Sequence, residues 1–282
     1  MLLLSLLCLV SAPAFEIKDG DRIVMVGSSL LELEQQHGYV ELMLHSIYSD
    51  KKFTVRNLAW SGDTVWGEAR AEFGTQADGY KKLVEQIKAE KPTVLILGYG
   101  TNEAFAGNAG LEKFVKQYRR LLADVASPDT RFLFLTIPWP QLKKTSSHRS
   151  DHISYSAAIA DLAREQKGKA QAIDLSHLYQ PYDSRPLTDE GILPNDLGYQ
   201  QLARIMAEAM GSNKDLSKPN EPLRQLILKK NELYFHQYRP QNDTYLFLFR
   251  KHEQGNNAAE IPQFTPLIKE LDRQINELKR KK

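Results

Sequence analysis

Short apolar runs alternate with amphipathic segments along the first 210 residues of the chain. The apolar runs predict five strands, over 21–27, 53–59, 92–98, 131–137 and 170–174. Apolar residues at helical spacing predict helices between and after these strands, over 30–48, 81–90, 111–125, 152–166 and 197–210. Strands that alternate with helices predict an α/β fold with three α/β/α layers and a doubly wound, flavodoxin-like parallel sheet.

The composition changes near residue 211, where the chain becomes rich in Lys, Asn, Gln and Tyr. We predict a linker over 212–220, a helix over 222–234 and a strand-like apolar run over 245–249. The end of the chain predicts an amphipathic helix with an apolar stripe of Leu267, Leu271, Ile275 and Leu278, followed by a solvated basic tail. Because this stripe needs burial, we expect a main domain of residues 15–211 and a mostly helical C-terminal extension, 212–282, packed on it.

The first 14 residues form a compact apolar segment that ends in Ala12-Pro13-Ala14. Its length is too short for a bilayer span, and the small-x-small ending is typical of signal peptidase sites. We therefore predict a signal peptide over 1–14, a secreted or periplasmic protein, and no stable membrane span after cleavage. The only cysteine, Cys8, lies in this segment, so the mature chain has neither disulfides nor thiol chemistry.

The overall charge adds little to this picture. The formal net charge is +2 and charged residues make up 26% of the chain, so no global basic field is present. We therefore predict no nucleic-acid partner. The sequence leaves the oligomeric state open.

A candidate nucleophile follows the first predicted strand. The strand ends at Gly27, Ser28 and Ser29 follow, and a helix begins at once. The carboxyl ends of parallel strands are where open α/β sheets place their chemistry, and amides at a helix start can stabilise an oxyanion. Ser29 is therefore the candidate nucleophile. The alternative is that Ser28 or Ser29 only caps the helix, as serines often do.

Two further predicted strands end in loops with amide donors. Gly62 lies in the loop after the second strand, and Asn102 lies in the glycine-rich loop after the third. The backbone amides of Ser29 and Gly62 and the Asn102 side chain would supply three donors to a developing oxyanion. The alternatives are that Gly62 only serves a tight turn and that Asn102 only bonds a loop.

In order and placement, these loops resemble the conserved blocks of the SGNH/GDSL hydrolase family. Gly27-Ser-Ser-Leu30 is similar to the GDSL block, 57–63 to the second block and Gly100-Thr-Asn-Glu103 to the GxND block. The resemblance covers about residues 20–210 and implies that Ser29 is the nucleophile and that Ser29, Gly62 and Asn102 form the oxyanion hole. With its extension, the chain resembles a secreted bacterial group of this family.

The final block of the family departs from the pattern. The family has DxxH there, with a histidine base and an orienting acid. In this chain Leu193 occupies the histidine position, and Glu190 or its neighbour Asp189 occupies the acid position. A leucine cannot accept a proton, and without the base only the roughly 10³- to 10⁴-fold rate enhancement of the oxyanion hole and binding remains.

Other histidines offer substitutes for the missing base. His177 follows the fifth predicted strand, and His236 and His252 lie in the extension, which could fold over the pocket. His148 and His152 flank Asp151, but without a third ligand we interpret them as a solvated junction between a loop and a helix. We expect the aromatic runs at 234–238 and 245–249 to be core.

The resemblance implies a serine ester hydrolase that acts on acyl or acetyl esters, with carbohydrate esters among them, and whose activity is impaired by Leu193. Its partner would be a small-molecule or carbohydrate ester, and we predict no cofactor and no metal. The alternative is an inactive module that binds a glycan or ester without turnover. A third hypothesis, weaker than these, is a structural subunit that docks through residues 212–282.

Overall fold

The computed structural model describes residues 15–139, 148–180, 185–189, 191–253 and 257–280. Five strands in these ranges form one parallel sheet: β1 (Asp21–Gly27), β2 (Phe53–Asn57), β3 (Val94–Gly98), β4 (Arg131–Leu135) and β5 (Ala170–Ile173). Their order across the sheet is β2-β1-β3-β4-β5. The sheet is therefore doubly wound in the flavodoxin-like order, as the sequence predicts.

The helices of the main domain are α1 (Ser29–His37), α2 (Tyr39–Ile47), α3 (Gln76–Ala89), α4 (Asn108–Val125), α5 (Arg149–Glu165) and α6 (Asp196–Ala209). The extension contributes α7 (Glu221–Tyr238), α8 (Asp243–Leu246) and α9 (Phe264–Leu278). Two cores lie on opposite faces of the sheet, one under α1, α2 and α6 and the other under α3, α4 and α5. The predicted three-layer α/β/α fold is confirmed. Within the described residues, no helix has the length and apolar character needed to cross a membrane.

Alternation along the central strand explains the two cores. Ile23 and Met25 of β1 contribute to one core, and Val24 and Val26 contribute to the other. All four side chains are fully buried. A strand buried on both faces has no polar side, and for this reason it reads as a continuous apolar run.

The segment predicted as one helix over 30–48 is two helices. Gly38 separates α1 from α2 in the left-handed conformation, with φ of +72°, and its amide donates to the Glu34 carbonyl at 2.7 Å. The Glu34 carboxylate in turn accepts from the Val40 amide at 2.6 Å. A glycine reaches positive φ without strain, so it ends the first helix and redirects the chain.

The prediction of a strand and core over 245–249 is wrong. The run begins in α8 and continues as turns. Phe249 is 69% exposed and Phe247 is half exposed. Asn242, the residue directly before α8, has φ of +77°, which turns the chain away from an extended path. An apolar run without a partner strand has no ladder to join.

Helices α7 and α9 pack on each other and cover the edge strand β2. The Lys230 ammonium donates to the Val55 carbonyl at 3.0 Å, and the Asn276 amide donates to the Phe53 carbonyl at 3.2 Å. An uncovered edge strand presents unpaired backbone groups to other chains. The extension thus protects this edge of the sheet.

Two details of the terminal helix differ from the prediction. Leu267 is 54% exposed, and Ile268 takes its place in the buried stripe with Leu271 and Ile275. Lys279, predicted to be solvated, is only 7% exposed, and its ammonium lies 3.9 Å from the centroid of the Phe53 ring. A long basic side chain can bury its stem and cover an aromatic ring, so the start of a basic tail is not always free.

Candidate active site

The start of α1 carries the candidate nucleophile. Ser28 is the N-cap residue but makes no side-chain capping hydrogen bond, and Ser29 is the first helical residue. The Ser29 side chain is half-buried, and its hydroxyl has no hydrogen-bond partner among the described residues. The interpretation that Ser28 or Ser29 only caps the helix therefore has no hydrogen bond to support it.

The glycine at the end of β1 lets the first and third loops approach closely. A Cβ atom on Gly27 would lie 2.6 Å from the Gly98 carbonyl oxygen, far inside van der Waals contact. The Ser28 amide donates to that same carbonyl at 3.3 Å. The absence of a side chain at Gly27 thus brings the end of β1, and the serines after it, against the end of β3.

The loop after β2 runs beside the same strand end. The Trp60 amide donates to the Gly27 carbonyl at 3.0 Å. Gly62 follows at φ of +77° and is exposed, and in the part of the chain that the structure describes nothing lies within 4 Å of the position of a Cβ atom. Gly62 therefore serves the turn, because a side chain at this φ would be strained even in open space. Its amide remains a candidate oxyanion donor.

A fully buried ion pair fixes the end of this loop. The Asp63 carboxylate accepts from the Arg70 guanidinium at 2.8 Å and from the Tyr99 hydroxyl at 3.2 Å. Arg70 also donates to the Leu58 carbonyl at 2.8 Å. A charged pair with several hydrogen bonds in a dry interior holds its partners in one geometry. The segment around Gly62 is thus anchored on its C-terminal side.

The third loop joins the second through Asn102. The Asn102 side-chain amide donates to the Asp63 carbonyl at 2.8 Å. The candidate oxyanion asparagine therefore contacts the residue that follows Gly62. One N–H bonds a loop, as the alternative interpretation holds, and the other is available because a side-chain amide carries two donors.

Sequence reasoning missed the role of Glu103, the last residue of the GxND-like block. Its carboxylate accepts from the amides of Gly100 and Val65, both at 2.8 Å, and so ties the second loop to the third. Burial raises the pKa of Glu103 to about 7 and outweighs the two amide bonds, which lower it. An acidic residue at the end of the block was the only signal in the sequence.

The final loop also returns to this end of the sheet. The Tyr199 hydroxyl donates to the carbonyl of Leu30, the residue after Ser29, at 2.9 Å. The Tyr179 hydroxyl donates to the Ile192 carbonyl at 2.6 Å, next to Leu193. The Leu193 side chain is half-buried.

Of the two candidate acids in this loop, the structure describes one. Asp189 is exposed, and its carboxylate accepts from the Asn195 side-chain amide at 3.3 Å. Glu190 lies outside the described residues. The acid position of the final block therefore stays a prediction.

All seven histidines of the chain lie within the described ranges, and none hydrogen-bonds to Ser29. His177 is exposed, with its ring 5.5 Å from that of Trp139. In the extension, the His236 ring packs at 5.6 Å against Phe235, and His252 is exposed. A general base must come within hydrogen-bond reach of the proton that it takes, and a substitute base among these three histidines stays a prediction.

The interpretation of His148 and His152 as a solvated junction is wrong for His152. Its side chain is 1% exposed and has no hydrogen-bond partner among the described residues for either ring nitrogen. Burial lowers its pKa, and the ring packs on Phe105 at 6.4 Å. His148 is partly exposed and lies 3.6 Å from Asp151. Over the described ranges, no group of three metal-ligating side chains comes together.

The family of this chain follows from a match to a protein-family model. Residues 24–201 match the model of the GDSL-like lipase/acylhydrolase family, which is more than half of the chain. The chain belongs to the GDSL-like lipase/acylhydrolase family. The resemblance seen in the sequence is thereby confirmed, and membership of this family indicates an ester hydrolase. A search of curated protein sequences found no match for this family member.

Solved structures similar to this GDSL-family chain share its fold. Axe2, an acetylxylan esterase from Geobacillus stearothermophilus, has a TM-score of 0.56 at 16% identity, over 70% of this chain and 97% of that one. LAE5, an α/β hydrolase from the metagenome of Lake Arreo in Spain, has a TM-score of 0.54 at 18% identity, over 71% and 99%. BT4096, a gut microbial diltiazem-metabolizing enzyme, has 0.52 at 20% identity, over 71% and 49%.

The acetylxylan esterase has also been solved as catalytic mutants. In these a serine, an aspartate or a histidine is replaced by alanine, and the aspartate lies three positions before the histidine. At such low sequence identity, the structural likeness to this GDSL-family chain shows the fold alone.

Proposed function

We propose that this protein is a serine ester hydrolase of the SGNH/GDSL type with impaired activity, and that its substrates are acyl or acetyl esters, with carbohydrate esters as the first class to test. The observation that carries the proposal is the 2.8 Å contact between the Asn102 side chain and the Asp63 carbonyl. Together with the contacts of Gly27 with Trp60 and of Ser28 with Gly98, it supports a single site built from three loops.

In the proposed mechanism, the Ser29 hydroxyl oxygen attacks the ester carbonyl carbon. Negative charge develops on the carbonyl oxygen, and the amides of Ser29 and Gly62 and the free N–H of Asn102 stabilise it. One such donor is worth about 2.7 to 4 kcal/mol. The tetrahedral intermediate then breaks its bond to the alcohol oxygen, which takes a proton from water and leaves as the alcohol, and a second water hydrolyses the acyl group from Ser29 as a carboxylic acid.

Proton transfer from Ser29 is the slow step of this mechanism. The Ser29 proton has no imidazole to accept it, so it passes to water. In the similar acetylxylan esterase, catalytic mutants affect an aspartate and a histidine three positions apart, and this spacing separates Glu190 from Leu193 here. We propose that Leu193 stands at the position of the base and Glu190 or Asp189 at that of the acid.

A direct test is the replacement Leu193→His, assayed with p-nitrophenyl acetate. The native protein should hydrolyse this ester barely above background, and Leu193→His should recover part of the missing factor of roughly 10³ or more. Recovery should be partial because the new imidazole also needs its tautomer and orientation fixed. Leu193→Asn is the matched control, since it is polar and of similar size but cannot act as a base.

A second replacement tests whether the rate recovered in Leu193→His depends on the nucleophile Ser29. Ser29→Ala in the Leu193→His background should abolish the recovered rate, because nucleophile and base act as one unit. Strong native activity that is lost in His177→Ala or His252→Ala would contradict the proposal and identify a substitute base.

The second candidate function is a module that binds a glycan or ester without turnover. It is favoured by Leu193 and by the lack of a hydrogen bond between any histidine and the Ser29 hydroxyl. If Leu193→His gave no recovery while circular dichroism showed an intact fold, and the native protein bound acetylated xylo-oligosaccharides by calorimetry, this function would replace the first.

We further propose that residues 1–14 are removed on export and that the protein works outside the cytoplasm. Support comes from the apolar run and the Ala12-Pro13-Ala14 ending. N-terminal sequencing of the protein from the culture medium or periplasm should begin near Phe15. A chain recovered with Met1 intact would contradict this proposal.

A further inference from the structure

The C-terminal extension contacts the candidate active site through Arg239, the residue that follows α7. The Arg239 guanidinium carbon lies 3.8 Å from the centroid of the Trp60 ring, in the loop that carries Gly62. The same guanidinium forms an ion pair with the Glu32 carboxylate. Glu32 is almost fully buried and Arg239 is partly exposed, so the carboxylate of this ion pair is shielded from solvent more than that of a surface pair.

The Glu32 carboxylate also hydrogen-bonds to the loop that carries Gly62. Its second oxygen accepts from the Ser61 amide at 2.8 Å and also from the Ser61 hydroxyl. Arg239 and Ser61 therefore share one carboxylate, with one oxygen for each. Ser61 is the residue directly before Gly62.

The residue before Arg239 holds the same loop. The Tyr238 hydroxyl donates to the Ala59 carbonyl at 2.9 Å. Two consecutive residues of the extension thus hold the three residues that precede Gly62. Tyr238 bonds the Ala59 carbonyl, and Arg239 packs on the Trp60 ring and shares the Glu32 carboxylate with Ser61. The contacts join positions about 180 to 207 residues apart in the chain.

Gly62 lies at the surface of the protein. It is exposed, and no atom of the described residues lies within 4 Å of the position that a Cβ atom would take. An oxyanion donor is effective only if its direction is fixed before the reaction, and a displacement of about 1 Å can cost about 100-fold in rate. The position of the Gly62 amide therefore depends on its neighbours, the Asp63 ion pair on one side and Ser61 on the other.

Glu32 also connects this loop to the nucleophile. It lies three positions after Ser29 in α1, on the same side of the helix. A carboxylate on this helix that bonds Ser61 fixes the distance between the helix that begins at Ser29 and the loop that carries Gly62.

We propose that Arg239 is a positioning residue, which acts through Glu32 to hold the Gly62 amide where the oxyanion forms. The extension is then part of the machinery of the main domain rather than an independent module. This inference rests on the proposed function for its catalytic part. Its structural part, the restraint of the loop, is independent of any reaction.

The test uses the full chain and two readouts. Hydrogen exchange is measured by mass spectrometry on a peptide that covers residues 58–64, and hydrolysis of p-nitrophenyl acetate is measured in the Leu193→His background. The variant is Arg239→Gln. The matched control is Arg224→Gln, because Arg224 is also an arginine of the extension that binds the main domain, with its guanidinium on the His37 carbonyl at 2.7 Å and over the Tyr39 ring at 4.9 Å.

Arg239→Gln should speed exchange of the 58–64 peptide at least tenfold and lower kcat about tenfold, with KM changed less than twofold. Arg224→Gln should leave the exchange of this peptide, kcat and KM unchanged. Arg239→Lys, which keeps the charge but loses the planar guanidinium, should fall between the native protein and Arg239→Gln. Melting curves of all variants check that the fold is intact.

Unchanged exchange in Arg239→Gln would overturn the proposal. So would faster exchange with an unchanged kcat, because the loop would then move without effect on the reaction. If Leu193→His itself had no activity, the proposed hydrolase would fail, and the exchange of the 58–64 peptide would decide the restraint of the loop separately.

Discussion

The Tyr199 hydroxyl donates a hydrogen bond to the Leu30 carbonyl across 169 positions of sequence. This bond joins the start of α6, just after the loop that contains Leu193, to the start of α1, just after Ser29. Tyr199 is fully buried and its ring stacks on His37, with 4.3 Å between the ring centroids. The distance between the candidate nucleophile and the position of the missing base depends on this contact.

Tyr199→Phe should lower the free energy of unfolding by about 1 kcal/mol, the net value of one buried hydrogen bond. In the Leu193→His background it should also lower the recovered rate, because the new imidazole would lose its alignment with Ser29. Tyr155→Phe is the control, since Tyr155 is also fully buried and donates to a backbone carbonyl, that of Gly107 at 3.1 Å. An equal loss of rate in both variants would show a general effect of stability.

Glu103 should make the free energy of unfolding depend on pH. Its pKa in the folded state is about 7, above the ordinary value of about 4.3 in an unfolded chain. The folded state therefore holds this proton more tightly, and the resulting stability is complete below about pH 4 and is lost as the pH rises through 7. From the two pKa values, the loss is about 4 kcal/mol.

Urea unfolding of the native protein and of Glu103→Gln at pH 5 and pH 8 tests this prediction. The native protein should lose more stability than the variant between the two pH values, because glutamine does not titrate. Glu85→Gln, at an exposed position of α3, should keep the native slope. Parallel pH profiles for the native protein and Glu103→Gln would contradict the prediction.

The buried pair of Lys230 and Glu41 should couple the extension to the main domain energetically. The Lys230 ammonium contacts both Glu41 carboxylate oxygens, at 2.6 and 2.7 Å. Burial alone would raise the pKa of Glu41, but Lys230 and His45 outweigh it and leave that pKa below its ordinary value. Lys230→Met should cost about 3 to 5 kcal/mol, because it leaves a buried carboxylate without its partner.

The double variant Lys230→Met, Glu41→Leu should be more stable than Lys230→Met alone, because it removes the unpaired charge. Urea unfolding of the native protein, both single variants and the double variant gives the coupling. Additive losses from the two single replacements would contradict the prediction.

The division of the chain near residue 211 stays a prediction, and truncation tests it. A fragment of residues 15–211 would expose the Glu41 carboxylate and the edge of β2, which α7 and α9 cover in the full chain. We expect this fragment to melt well below the full chain or to aggregate. A stable fragment with an unchanged melting temperature, released by limited proteolysis, would indicate two independent units.

By itself, the sequence determined the fold class and the positions of the loops. Strands such as β3 are buried on both faces, so they appear as apolar runs, and the helices between them show their apolar stripes at the helical period. Such patterns report how each segment is buried, and this information is local. Gly38 was missed because a single glycine in an otherwise helical pattern does not reveal the sign of its φ angle.

Only the tertiary structure decided which residues meet at the candidate site. Asn102 contacts the Asp63 carbonyl, Glu103 joins two loops, and Arg239 reaches Glu32 from the extension. The contacts between different loops and with the extension join residues 38 to 207 positions apart, and the separations follow from the strand order and from the path of α7 across the edge of the sheet. A polar residue gives no periodic signal for its partner, because its hydrogen bonds depend on side chains that the fold brings close in space.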